Sequence, residues 1–94
     1  MEWQDPVTES GKLGRVLVVD DVAVVRKSIH ATLANAGYDV LEAEDGAQAI
    51  RMLQAAESPL LVDAILSDLR MPQINGAELV AYFRRQYPAI PVVV

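Results

Sequence analysis

Apolar residues run along this chain in two alternating rhythms. Short runs rich in β-branched side chains are separated by longer segments in which apolar residues recur every three or four positions. That is the pattern of parallel strands covered by helices. The first run, Val16-Leu17-Val18-Val19, is apolar on both faces and predicts a central buried strand. Val25, Ile29, Leu33 and Ala36 follow at spacings of four, four and three and predict a helix, which Gly37 ends as the residue just past the cap. Residues 38–43 alternate Tyr38, Val40 and Leu41 with Asp39 and Glu42, as a half-exposed edge strand does. Asp45 with Gln48 resembles a capping box opening a second helix, with Ala49, Ile50 and Leu53 inward, and Pro59 closes that unit. Residues 62–67 predict a third strand, with Ala64-Ile65-Leu66 buried. Asn75 then stands three residues before Glu78, a second capping arrangement, ahead of a helical stripe of Leu79, Val80, Phe83 and Tyr87. Pro88 and Pro91 flank a turn into Val92-Val93-Val94, the start of a fourth buried strand.

Residues 1–14 break this rhythm, with turn formers and acids but no apolar period, and are read as a flexible leader. Trp3 within it is taken as incidental rather than as an anchor for a partner. Residues 15–94 then form a single domain, since 94 residues with 52% hydrophobic and 22% charged side chains suffice for one small core. Thirteen acidic side chains against eight basic ones leave a net charge of −5, which excludes nucleic acid binding by this chain alone. There is no cysteine and one histidine, so a metal would have to be held mainly by oxygen. No stretch has the length and apolarity of a membrane span, and a cytoplasmic location is expected.

Chemistry concentrates in three carboxylates. Asp20 and Asp21 end the first strand and Asp68 ends the third. In an open parallel sheet, ligand crevices lie at the carboxyl ends of the strands, where strand order reverses. If the first and third strands are neighbours, with the second outside the first, the three acids converge there. Like charges near 4 Å repel by about 4 kcal/mol at an effective dielectric near 20. A divalent cation offsets that repulsion, and Mg²⁺ suits one or two direct carboxylates, a backbone carbonyl and waters. The simpler alternative is that Asp20 and Asp21 cap the first helix. Capping leaves the third acid unexplained, and Asp21 can serve both purposes. His30 and the pairs Arg26-Lys27 and Arg84-Arg85 are read as ordinary surface groups.

Val16-Leu17-Val18-Val19-Asp20-Asp21, together with Ile65-Leu66-Ser67-Asp68-Leu69-Arg70-Met71-Pro72-Gln73-Ile74-Asn75-Gly76, resembles the two signature segments of response regulator receiver domains, from about Arg15 to Val94. The resemblance implies a flavodoxin-like, receiver-type, doubly wound parallel sheet of order 2-1-3-4, truncated within the fourth strand. It implies that Asp68 is the phosphoacceptor of a two-component system, taking a phosphoryl group from a histidine kinase, a phosphotransfer protein or a small acyl phosphate. Mg²⁺ would be held by Asp21 directly, by Asp20 through water, by Asp68 and by the Arg70 backbone carbonyl. No catalytic turnover of its own is expected, so the chain is not read as an enzyme. The hydroxyl and Lys positions by which the family reads the phosphorylated state would fall beyond Val94.

Two other readings stand beside this one. A receiver-like module could act by interaction and dimerisation without phosphotransfer. A small phosphohydrolase using an aspartate nucleophile would want a second acid two residues after Asp68, where Arg70 stands. A sheet ending at a valine-rich fourth strand leaves an apolar edge and uncovered faces, so homodimerisation through that surface is also expected.

Overall fold

The computed structural model describes residues 13–54, 62–67 and 76–94. In chain order the elements are β1 (Arg15–Val19), α1 (Ala23–Asn35), β2 (Asp39–Ala43), α2 (Gly46–Gln54), β3 (Ala64–Ser67), α3 (Gly76–Gln86) and β4 (Val92–Val93). Among the described residues the sheet is four-stranded, parallel throughout, and ordered β2-β1-β3-β4. This is the flavodoxin-like order expected from the sequence, with the reversal between β1 and β3.

Alternation along the strands sorts the faces. Leu17, Val19, Ala43 and Ile65 join Ala49 and Leu53 of α2 and Leu79 and Phe83 of α3 in one buried cluster. Phe83 is completely buried and meets Tyr82 edge-on, with ring centroids 6.0 Å apart. On the other face, α1 packs over β1 and β2.

The ends of the elements carry local signals. Gly37, at φ 106°, follows α1, with its N–H on the Ala34 carbonyl and the Tyr38 N–H on that of Leu33. This paired closure is the helix stop expected there. The Asp45 carboxylate accepts the Gln48 N–H at 2.7 Å, as a capping box requires. The return bond lands one residue early, since the Gln48 side-chain oxygen accepts the N–H of Glu44. Asn75 and Pro59 lie outside the described residues.

Three expectations need adjusting. The third strand begins at Ala64 rather than at residue 62; Asp63 just before it bonds the start of β1, its N–H on the Arg15 carbonyl and its carboxylate accepting the Arg15 N–H, each at 2.7 Å. Of the expected leader only residues 13 and 14 are described, and both are tied to the β2 side: the Leu13 N–H bonds the Gly37 carbonyl, and the Asp39 N–H bonds that of Gly14. The inward face of α1 also differs. Val25 is 43% exposed, and the buried residue of the helix is Arg26.

Candidate functional site at the carboxyl edge of the sheet

The register of β1 and β3 builds the site. Val19 pairs with Ser67, so the residues that follow, Asp20 and Asp68, leave adjacent strands at the same edge. Neighbouring strands lie about 4.8 Å apart. Asp68 and Arg70 themselves lie outside the described residues.

Asp20 is buried and fixed on three sides. Its N–H donates to the Ala43 carbonyl at 3.1 Å. Its own carbonyl accepts from Arg26 Nη1 at 2.8 Å, and its carboxylate Oδ1 accepts the Val22 N–H at 2.9 Å. Asp21 is exposed, and among the described residues no hydrogen bond or ion pair occupies its side chain. The helix-capping alternative is not what the structure shows: the cap of α1 is Val22, without a side-chain cap bond. One acid is thus held inside, and its neighbour is exposed with no side-chain partner among the described residues. Ser67, the last residue before Asp68, has a buried hydroxyl with no hydrogen-bond partner among the described residues.

Beneath the acids lies a cluster read in the sequence as surface charge. Glu42 of β2, the register partner of Val18, receives Arg26 Nε at 2.9 Å on Oε1 and His30 Nδ1 at 2.6 Å on Oε2. Lys27 Nζ stands 3.1 Å from both oxygens. Burial alone would push the Glu42 carboxyl up, but hydrogen bonds from Lys27, Arg26 and His30 prevail and hold it below its ordinary value of 4.5. Arg26 is therefore no solvated group, and His30 is a hydrogen-bond partner of the same carboxylate. A signal was available: Arg26 shares a helix face with Ile29, His30 and Leu33, and Glu42 has the strand parity of Val40.

The site's chemistry fits a hard cation. Two adjacent carboxylates stand at a strand end, with a third acid one peptide step beyond Ser67, and oxygen donors of this kind suit Mg²⁺. Among the described residues alone, no cluster of three metal-ligating side chains occurs.

Comparison with known proteins decides the family. The model of the response regulator receiver domain matches residues 16–94. This chain belongs to the response regulator receiver domain family. A probable transcriptional regulatory protein of Picosynechococcus is 38% identical over 85 residues, covering 85% of this chain and 33% of the relative. The chain thus spans about a third of that relative's length. The chemotaxis protein CheY4 of Vibrio cholerae superposes with a TM-score of 0.72 at 39% identity, covering 83% of this chain and 63% of that one. The response regulator TrrA of Thermotoga maritima, solved in complex with Mg²⁺ and BeF, gives 0.74 at 28% identity, with 83% and 64% covered. TrrA has also been solved in complex with the histidine kinase ThkA, where the TM-score is 0.73 at 28% identity, with the same coverage.

Proposed function

We propose that this receiver domain accepts a phosphoryl group on Asp68 with Mg²⁺ bound beside it, as the phosphoacceptor of a two-component system. The observation that carries the reading is the Val19–Ser67 register, which brings the strand end bearing Asp20 and Asp21 beside the strand end leading to Asp68. A carboxylate oxygen of Asp68 attacks phosphorus as the P–N bond of a phosphohistidine, or the P–O bond of an acyl phosphate, breaks, and the electron pair leaves with the imidazole or the carboxylate. Bound magnesium supplies neutralisation of charge on the phosphoryl oxygens. Asp21 and Asp68 would be the direct carboxylate ligands, the Arg70 carbonyl would be a further oxygen, and Asp20, whose carboxylate accepts the Val22 N–H, would act through water.

The donor is a histidine kinase or phosphotransfer protein; the complex of TrrA with ThkA supports that class of partner. The chain is a signalling module rather than an enzyme, and it works in the cytoplasm without contacting nucleic acid or membrane. No helix among the described residues is long and apolar enough to cross a membrane. The 94-residue polypeptide associates as a homodimer through the outer edge of β4, where Val93 and Val94 are exposed.

Incubation with Mg²⁺ and acetyl phosphate, followed by intact mass measurement, tests the reading. A single phosphoryl adduct that disappears in Asp68→Asn is expected. Metal binding without any adduct would instead favour an interaction module that does not transfer phosphate, and rapid turnover of many phosphomonoesters would favour a hydrolase.

A further inference from the structure

Arg26 is the buried residue of α1, while Val24 and Val25 beside it remain 79% and 43% exposed. Hydrophobicity would have favoured the opposite arrangement. A guanidinium is kept out of water only when its donors are well placed. Arg26 meets that condition with two bonds in different directions, Nε to the Glu42 carboxylate and Nη1 to the Asp20 carbonyl. The second is buried and spans only six residues, from the end of the first helical turn back to the strand end.

That carbonyl belongs to the peptide joining Asp20 to Asp21. Among the described residues no other donor reaches it, so Arg26 fixes the plane of this peptide from below. The plane sets the direction from which the Asp21 side chain starts, while the Val22 N–H holds the Asp20 carboxylate. Glu42, reaching in from the neighbouring strand, keeps the guanidinium in place and balances its charge.

We propose that Arg26 is a positioning residue for the acidic pocket: braced by Glu42, it holds the Asp20–Asp21 peptide in the orientation that binds a divalent cation. The inference rests on the phosphoacceptor reading and deepens it, extending the determinants of metal affinity to a side chain that touches no metal. Groups that orient metal ligands in this way are typically worth 10- to 100-fold in affinity.

The test is titration of the full 94-residue chain with MgCl₂, followed by the ¹H–¹⁵N NMR signals of Asp20, Asp21 and Val22. The variants are Arg26→Met, Arg26→Lys and Glu42→Gln, with Leu53→Ala as a core-destabilised control. Wild type should give saturable shifts. Arg26→Met should bind about tenfold or more weakly, and Arg26→Lys should remain weakened, because a point charge cannot reach both acceptors. Leu53→Ala should keep wild-type affinity, whereas a loss equal to that of Arg26→Met would show that lowered stability alone weakens binding and would overturn the inference. Saturable wild-type binding with unchanged affinity in Arg26→Met, or full rescue by Arg26→Lys, would overturn the inference and leave the phosphoacceptor reading standing. Absence of Mg²⁺ binding by the wild type would remove both. If Arg26→Met does not fold, wild-type affinity in both Arg26→Lys and Glu42→Gln overturns the inference equally.

Discussion

Glu42 accepts a hydrogen bond from Arg26 Nε at 2.9 Å across the seam between an edge strand and the helix that covers it. Their side chains are only 15% and 9% exposed, so water screens the pair poorly. Replacing Glu42 with Gln leaves a buried guanidinium facing a neutral amide and should destabilise the domain by about 1.5–3 kcal/mol at neutral pH. Lys27 reaches the same carboxylate from a side chain that is 68% exposed, and Lys27→Ala should change stability by less than about 1 kcal/mol. Urea denaturation of the two variants separates these values, and equal losses would contradict the assignment.

The same carboxylate makes stability depend on pH with a definite sign. Its folded-state pKa lies below the ordinary 4.5, so the unfolded chain takes up the proton first on acidification. The stabilisation is complete above that ordinary value and is lost as pH falls through the depressed one. Denaturation of wild type and Glu42→Gln from pH 7 to pH 3 should therefore show the gap between them closing at the acid end. A gap that stayed constant would show that Glu42 carries no such linkage.

Phe83 fills the centre of the cluster between α3 and the sheet and has no exposed surface. Its truncation to Ala should cost about 3–5 kcal/mol. Small domains hold only about 5–15 kcal/mol in total, so much of that margin would be gone. Calorimetry should show a broad transition at markedly lower temperature, with Phe83→Leu in between.

Gly37 is the position where backbone conformation alone dictates residue type. At φ 106° an L side chain is strained by about 1–2 kcal/mol, and an added Cβ would also stand 3.4 Å from the Leu13 side chain. Gly37→Ala should lower the urea midpoint by a corresponding amount. Asn, which tolerates positive φ better, should recover part of it.

The proposed homodimer would use the apolar surface at β4 and beside it along α1. Val22, Val24, Val25, Val93 and Val94 are all exposed, and β4 pairs only with β3 among the described residues. Size-exclusion chromatography with light scattering at micromolar concentration should give a mass above that of the 10.2 kDa chain. A dispersed monomer would refute it, and charged replacements at Val93 should shift the mass downward.

The rhythm of apolar residues was enough to read the strands and helices, the edge position of β2 and the stop at Gly37, because each of these depends on neighbours a few positions away. The sheet order was legible through the resemblance of the segments around Asp20-Asp21 and Asp68 to receiver domains, since the acids alone made the meeting of the strand ends only conditional on that order. The face that α1 turns inward was misread, although Arg26 shares a helix stripe with Ile29, His30 and Leu33. Arg26 and Glu42 are 16 residues apart, and each looks like a solvated charge in its own segment. Only when β2 pairs beside β1 does Val18 fall opposite Glu42, and only then does a carboxylate stand where a buried guanidinium can be satisfied. Sequence by itself determined the periodicities and the local turn chemistry, which are fixed by covalent spacing. Tertiary structure alone decided which charges leave water, because that depends on partners brought close by folding.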